Sequence, residues 1–338
     1  MAACLDGGRG FPVCVLEAGE GSKGWGSVEA ILGSAFEAGL GRDGHIVGVG
    51  GGVVTDLAAF AASIYMRGID CSLVSTSLLG MVDAALGGKT GFDLLGIKNL
   101  AGSFYPASRV LMPLGSLASL PPAEWKSGMG ELIKTAILAE DDRMLALLES
   151  SGEGSGPWAE GPVPGELWEL IGAAVALKGR IVEEDPQERG SRRILLNLGH
   201  SFGHALEAAS GLGRISHGEA VAWGLARACE LGRSLGITPP ERARLILGLL
   251  ESRGYETAFP HPLMKNPEGF RRALLGDKKK RAGKLRFIIP AERGCRPVEL
   301  EPGDSALAVF LDPGSGTGSP GGFRESPASS HKLNKMSY

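Results

Sequence analysis

Hydrophobic and polar positions follow two different periods in the first third of the chain. Short apolar runs predict β-strands at "FPVCVLEAG", "HIVGVGGG", "CSLVSTS" and "RVLMPL". Apolar residues at helical spacing predict helices at "WGSVEAILGSAFEAGL" and "TDLAAFAASIYMRG". Strands that alternate with helices are typical of a parallel sheet with helical crossovers. We therefore expect an α/β domain over residues 1–112.

Helical spacing dominates the rest of the chain, and a mostly helical domain is expected over residues 113–312. The predicted helices are "PAEWKSGMGELIKTAILAE", "GELWELIGAAVALKGRIVEED", "SFGHALEAAS", "GEAVAWGLARACELGRSLG" and "PERARLILGLLESRG". One short strand is predicted at "KLRFIIP", and a surface loop at residues 151–165. Residues 313–338 are rich in Gly, Ser and Pro and lack a hydrophobic period, which predicts a disordered tail.

Composition narrows the class of protein. A chain of 338 residues with 43% hydrophobic and 22% charged residues is typical of a globular protein large enough for two domains. A net charge of −3 argues against a nucleic-acid-binding protein. The five cysteines are scattered, so we expect neither a disulfide framework nor a zinc ribbon, and a reducing cytoplasm is the expected location. No membrane span or signal peptide is predicted.

Two glycine-rich segments are candidate phosphate-binding sites. "VGVGGGVVTD" (Val47–Asp56) leads from a predicted strand into a helix, whose free N–H groups suit a pyrophosphate. Its spacing departs from the dinucleotide fingerprint GxGxxG, so a plain tight turn is an equal alternative. "GGKTG" presents Lys89 from a glycine turn, and Lys98 and Asn99 follow. A solvated loop is the alternative there, and the apolar flanks of Asp83 argue against it.

Histidines and one carboxylate are candidate metal ligands. "GMGELIKTAIL" places Glu131 and Lys134 inside an apolar helix, where a buried carboxylate needs a cation; a surface salt bridge is the alternative. "NLGHSFGHALE" and "ISHGEAVAWG" add His200, His204 and His217, three of the six histidines of the chain. Two histidines and a carboxylate form a catalytic zinc set, although a histidine on an apolar helix is also often a core residue.

These segments, in this order, resemble the 3-dehydroquinate synthase family of sugar phosphate cyclases from about Glu17 to Pro290. The resemblance rests on "GGGVVTDLAAF", "STSLLGMVDAALGGKTG", "LPPAEWKSGMGELIKTAIL", "LLNLGHSFGHALE", "SHGEAVAWG" and "GDKKKRAGKLRFIIP". It implies an NAD-dependent lyase with a divalent metal, zinc or cobalt, that acts as a homodimer in the shikimate pathway. The implied reaction converts 3-deoxy-arabino-heptulosonate 7-phosphate into 3-dehydroquinate and phosphate by transient oxidation, elimination, reduction and aldol closure.

The resemblance also implies roles for individual residues. The metal ligands are Glu131, His200 and His217, and His204 is a catalytic residue near the phosphate rather than a ligand. The other implied catalytic and substrate-binding residues are Arg67, Asp83, Lys89, Asn99, Lys134, Lys178, Arg193, Asn197 and Lys278. The implied NAD-binding residues are Glu20, Lys23, Gly51, Gly52, Val53, Val54, Asp56, Thr76, Ser77, Lys89, Lys98, Ser116, Leu117 and Ser119.

The chain departs from the family pattern in a few places. It begins later than family members do, so we expect the α/β domain to lack its first strands. Thr55 replaces a glycine, and Ser77 replaces a threonine. An extra residue in "GSRRILLN" lets Arg192 compete with Arg193 for the substrate. The alternatives are a sibling cyclase, a metal- and NAD-dependent glycerol or alcohol dehydrogenase, and a non-catalytic paralogue.

Overall fold

The computed structural model describes residues 10–151, 164–211, 213–276 and 283–311. The predicted tail lies outside these ranges, as does most of the predicted loop at 151–165. None of the helices in the described ranges is long and apolar enough to cross a membrane.

The first part of the chain is an α/β domain, as predicted. Its elements are α1 (Trp25–Glu37), β1 (His45–Gly50), α2 (Gly52–Ile64), β2 (Asp70–Ser75), β3 (Lys89–Leu94), β4 (Ile97–Phe104) and β5 (Arg109–Leu111). The strand β2 pairs in parallel with β1 on one side and with β5 on the other. Small residues of α2, Ala58, Ala59 and Ala62, pack against Cys71 and Leu73 of β2. Their size lets the helix lie close to the sheet.

One prediction for this domain was wrong. The segment "FPVCVLEAG" forms no strand in the described residues, and Phe11, Val13 and Val15 are exposed. An apolar alternation becomes a strand only where a neighbouring strand pairs with its backbone, and no described strand pairs with this segment. The alternative of a solvated loop at Lys89 is excluded, because β3 and β4 form an antiparallel hairpin with Lys89 as its first residue.

The second part of the chain is mostly helical, as predicted. Its helices are α3 (Pro122–Leu138), α4 (Arg143–Ser150), α5 (Gly165–Glu184), α6 (His200–Ser210), α7 (His217–Ser234), α8 (Pro240–Ser252), α9 (Pro267–Gly276) and α10 (Ser305–Leu311). The predicted strand "KLRFIIP" is β6 (Leu285–Pro290), which forms an antiparallel hairpin with β7 (Cys295–Leu300). The helices α4, α9 and α10 and the strand β7 were not predicted. β7 has exposed polar residues and a proline, which hide a strand pattern.

The helices α3 and α7 form the centre of this domain. Most residues of both are buried, in agreement with sequences that are apolar on nearly every face. Gly130 of α3 and Gly218 of α7 lie at their crossing, where a Cβ on Gly130 would collide with the Gly218 carbonyl and one on Gly218 with the Ser127 carbonyl. The two backbones therefore touch, and this contact brings Glu131 beside His217.

Candidate active site

Three candidate metal ligands converge from three helices. Glu131 lies in the middle of α3, His200 is the first residue of α6, and His217 is the first residue of α7. The Glu131 Oε1 atom lies 3.7 Å from His200 Nε2 and 3.5 Å from His217 Nε2. One ligand atom from each of the three residues lies within 4.8 Å of the others.

This cluster fits a divalent cation. Ligand bonds of about 2.1 Å in a tetrahedron place ligand atoms roughly 3.4 Å apart, close to the distances around Glu131 Oε1. The Glu131 side chain is fully buried, and its Oε1 atom has no hydrogen-bond partner among the described residues, whereas Oε2 pairs with Lys134. Burial and the Lys134 ammonium lower the pKa of His200 to about 3, so its imidazole is neutral, as a ligand must be.

Buried charged side chains lie next to the ligand cluster on the side that faces the protein interior. Lys134 forms an ion pair with Glu131 and lies 3.7 Å from Asp83, whose carboxylate is 2.6 Å from Lys178. Burial opposes the charge on Glu131, but the Lys134 ammonium together with His217 and His200 outweighs it and lowers the pKa of Glu131 to about 2. For Asp83, Lys178 and Lys134 likewise outweigh burial and hold the pKa of the carboxyl well below its usual range. Both carboxylates are therefore ionised at neutral pH.

His204 lies on the outer side of the cluster and is exposed. Its ring centroid is 5.3 Å from that of His200 and 6.0 Å from that of His217. Although the residue is exposed to solvent at its edge, partial desolvation of the ring by the surrounding protein and the nearby His217 lower the pKa of His204. Glu207, which sequence reasoning missed, lies 3.6 Å from His217 Nδ1 through Oε1. Its position three residues after His204 and seven after His200 places it on the same helix face, and that spacing was the available signal.

The predicted substrate-binding residues Lys89 and Asn197 meet at a second missed residue, Glu188. Lys89 forms an ion pair with Glu188, and the Asn197 side-chain amide donates to Glu188 Oε1 at 3.2 Å. Glu188 has a positive φ of 53° in a polar turn, and nothing in the sequence marks it.

The structure separates the two competing arginines. Arg193 is buried and donates to the carbonyls of Gly87 and Pro186 at 2.7 and 2.5 Å, whereas Arg192 is exposed and pairs with Glu184. The Arg193 Nε atom has no hydrogen-bond partner within the described ranges. Arg193, through its bond to Gly87, therefore lies beside the glycine turn that precedes Lys89. Its contact with a substrate stays a prediction.

The predicted NAD-binding residues lie mostly at the carboxyl ends of β1 and β2, where ligands bind in parallel sheets. Gly51 and Gly52 start α2 next to the Ser77 hydroxyl and Ala84, and the Ser116 hydroxyl donates to the Thr76 carbonyl at 3.3 Å. The other predicted NAD-binding residues in this region are Val53, Val54, Leu117 and Ser119.

Several charged residues lie beside the carboxyl ends of β1 and β2. Lys23 is 2.6 Å from Asp56 Oδ2 and donates to Asn99 Oδ1 at 2.6 Å. Burial raises the pKa of Asp56 to about 6, against the opposing effect of Lys23. Lys98 lies 3.7 Å from Glu20 Oε1. Asn99, predicted as a substrate residue, therefore contacts the predicted NAD-binding residues in this structure.

One predicted residue is not brought to the site, and another lies outside the described residues. Arg67 is exposed in the turn after α2, and the described part of the chain shows no hydrogen bond or ion pair from it to the cluster. Lys278 lies outside the described residues.

Comparison with known proteins places the chain in a family. Residues 13–127 match the family model described as 3-dehydroquinate synthase N-terminal, and residues 128–280 match the one described as 3-dehydroquinate synthase C-terminal. The chain is similar to the 3-dehydroquinate synthase of Solibacter usitatus, with 38% identity over 284 residues, covering 84% of this chain and 77% of that protein.

Solved structures of cyclases share the fold. The 2-epi-5-epi-valiolone synthase of Streptomyces hygroscopicus, solved with NAD+ and Zn2+, aligns with a TM-score of 0.80 and 28% identity over 92% of this chain and 86% of that one. A 2-deoxy-scyllo-inosose synthase, solved with carbaglucose-6-phosphate, NAD+ and Co2+, aligns with a TM-score of 0.75 and 26% identity over 88% and 81% of the two chains. The two family matches and the similarity to the Solibacter protein show that this chain belongs to the 3-dehydroquinate synthase family.

Proposed function

We propose that this protein is a 3-dehydroquinate synthase that converts 3-deoxy-arabino-heptulosonate 7-phosphate into 3-dehydroquinate and inorganic phosphate. The observation that carries the proposal is the convergence of Glu131, His200 and His217 beside Lys134 in a chain of this family. An alcohol dehydrogenase needs a cation site but no phosphate pocket. The glycine-turn lysine, Lys89, favours the phosphate-eliminating reaction.

The cofactors belong to this proposal. Glu131, His200 and His217 would hold the divalent metal, zinc or cobalt, and the residues at the carboxyl ends of β1 and β2 would hold NAD. A metal there supplies Lewis acidity that lowers the pKa of a substrate hydroxyl, and NAD supplies a hydride acceptor. The overall conversion is redox-neutral, so it would release one phosphate per turnover and accumulate no NADH.

Residues of the chain then hold and orient the substrate. Lys178 and Lys134 keep Asp83 and Glu131 ionised, so the inner wall of the site offers fixed charges for the ring hydroxyls. Exposed Lys89 and His204 face the outer side, where the phosphate would bind and where His204 can hold or transfer a proton. Arg193 and Asn197 would contact the carboxylate and a hydroxyl.

We also propose that the enzyme is a homodimer in which Arg67 reaches the site of the neighbouring subunit. Arg67 carries a full charge and is exposed, and no described contact ties it to its own site. Light scattering coupled to size exclusion should give twice the chain mass, and a monomeric mass at working concentration would contradict this assembly.

The decisive assay for the proposed function measures two products at once. Metal-depleted protein is reloaded with zinc, mixed with NAD and the heptulosonate phosphate, and followed for inorganic phosphate and for NADH absorbance. We expect catalytic phosphate release without NADH accumulation. Glu131→Gln is the matched control and should release no phosphate. Stoichiometric NADH without phosphate release would contradict the synthase and favour a dehydrogenase.

A further inference from the structure

Glu207 on α6 is an acidic residue beside the ligand cluster that no substrate-binding role accounts for. Its side chain is nearly buried, with 12% exposed. One oxygen, Oε1, lies 3.6 Å from His217 Nδ1 and 3.1 Å from Lys98 Nζ. A single carboxylate oxygen thus faces a candidate metal ligand on one side and a lysine of the α/β domain on the other.

His217 lies between two carboxylates. Its Nε2 atom faces Glu131 Oε1 at 3.5 Å, and its Nδ1 atom faces Glu207. A histidine that binds a metal through Nε2 carries its proton on Nδ1, and an acceptor for that proton fixes both the tautomer and the orientation of the ring. Glu207 Oε1 lies 3.6 Å from Nδ1, just beyond hydrogen-bond distance, so a small side-chain movement on metal binding would let it accept this proton.

We propose that Glu207 is the positioning residue of the metal site, and that through Lys98 it couples this site to the NAD site. The inference rests on the proposed function. Lys98 lies on β4 and also pairs with Glu20 at 3.7 Å, so a row of charged and polar groups runs from Glu131 through His217, Glu207 and Lys98 to Glu20. Both ends of this row belong to predicted cofactor-binding sets.

A second cation site is the competing interpretation of Glu207. Ligand atoms of His204, Glu207 and His217 also lie within 4.8 Å of one another. The Lys98 ammonium, 3.1 Å from Glu207 Oε1, already supplies a positive charge there. A second metal would have to displace it, so the geometry favours one metal and a positioning role.

The first test measures zinc affinity without substrate or NAD. Metal-free wild type, Glu207→Ala and Glu207→Gln are titrated with zinc against a chromogenic chelator. We expect Glu207→Ala to raise the zinc Kd by about 10- to 100-fold, the usual cost of removing such a partner. Glu207→Gln should cost less, because the amide oxygen accepts the proton without a charge.

The matched control is Glu219→Gln, in the first turn of the same helix as His217. Glu219 caps that helix through Ser216, and Gln supports the same capping box. Its zinc Kd should equal that of the wild type. The visible spectrum of the Co2+-loaded protein adds a direct readout, which should change in Glu207→Ala and not in Glu219→Gln.

The second test measures the coupling to NAD. Zinc loading should tighten NAD binding by the wild type about fivefold or more, because it fixes His217 and with it Glu207 and Lys98. Glu207→Ala and Lys98→Met should both abolish this zinc dependence, whatever their effect on NAD affinity itself. Zinc that leaves wild-type NAD affinity unchanged overturns the coupling.

Other outcomes overturn the positioning role. A zinc Kd for Glu207→Ala within twofold of wild type, with an unchanged cobalt spectrum, contradicts it. Two zinc ions per wild-type chain that fall to one in Glu207→Ala identify a second metal site instead. A wild type that binds no zinc contradicts the proposed function itself, which separates the two failures.

Discussion

The helix α7 contributes to two regions that both contain buried charged side chains. One is the candidate metal site, and the other is a buried ion pair that we expect to stabilise the fold. At the start of α7, His217 joins Glu131 and His200, where ligand atoms from three helices converge. Near its end, Arg227 is fully buried, pairs with Glu230 at 2.8 Å and donates to the Thr257 carbonyl.

The two regions differ in how their charges are satisfied. The Arg227 guanidinium lies over the rings of Trp223 and Phe259, at 5.1 and 5.5 Å, and has one carboxylate partner. Glu131 instead pairs with Lys134 through Oε2, and its Oε1 faces the imidazole nitrogens of His200 and His217. Burial of charge therefore does not identify a catalytic site by itself; convergence of ligand atoms does. Substitutions in the first region should affect turnover, and those in the second should affect stability.

The largest expected effect is on turnover. Glu131→Gln removes the only carboxylate of the candidate ligand set and should lower kcat for phosphate release at least about 100-fold. The free energy of unfolding of the metal-free protein should change less than in Arg227→Met, because Lys134 keeps Asp83 as a partner. Phosphate assays and urea unfolding in a chelator check both parts. Wild-type turnover in Glu131→Gln would contradict the assignment of the first region as the catalytic one.

Arg227→Met should have the opposite profile. Loss of the guanidinium removes the bonds to Glu230 and Thr257 and leaves the nearly buried Glu230 without its ion-pair partner, which should lower the free energy of unfolding by about 3 kcal/mol. The folded protein should keep its zinc affinity. Urea unfolding and chelator competition test this, and weakened zinc binding in folded protein would show that the regions are coupled.

The second region should also give a pH dependence. Burial raises the pKa of Glu230 to about 7 despite Arg227. A carboxyl group with a raised folded-state pKa contributes stability that is complete below its unfolded value and is lost as pH rises through about 7. Between about pH 5.5 and about pH 8.5, the wild type should lose about 2 kcal/mol relative to Glu230→Gln. If the free energy of unfolding changed with pH in the same way in both proteins, the raised pKa of Glu230 would be refuted.

The smallest expected effect concerns Glu188, which pairs with Lys89 and Asn197 where the substrate is expected. Glu188→Gln should lower KM for the heptulosonate phosphate by about two- to fivefold, the scale of a partly exposed ion pair, with kcat unchanged. Glu184→Gln is the matched control, because Glu184 pairs with exposed Arg192 in the same segment. A raised KM in Glu188→Gln would mean that Glu188 assists binding.

The hydrophobic period of the sequence correctly predicted individual helices and strands, because each of these depends mainly on its own segment. The apolar faces of α3 and α7 and the strands β1 and β2 follow from hydrophobic period. The segment at Phe11 failed because a strand needs a partner that the sequence of the segment does not show. The ion pairs of Glu188 and Glu207 join residues far apart in the chain, and only the folded helices bring them together. The division of roles between His200 and His204 came from resemblance, since spacing alone suggested a common role.

That division is the central claim and has a direct measurement. Zinc content per chain should be determined by mass spectrometry for wild type, His200→Ala and His204→Ala after gel filtration. Wild type and His204→Ala should carry about one zinc, with turnover lost in His204→Ala, whereas His200→Ala should carry almost none. Equal zinc loss in both variants would contradict the account and make the two histidines a common metal clamp.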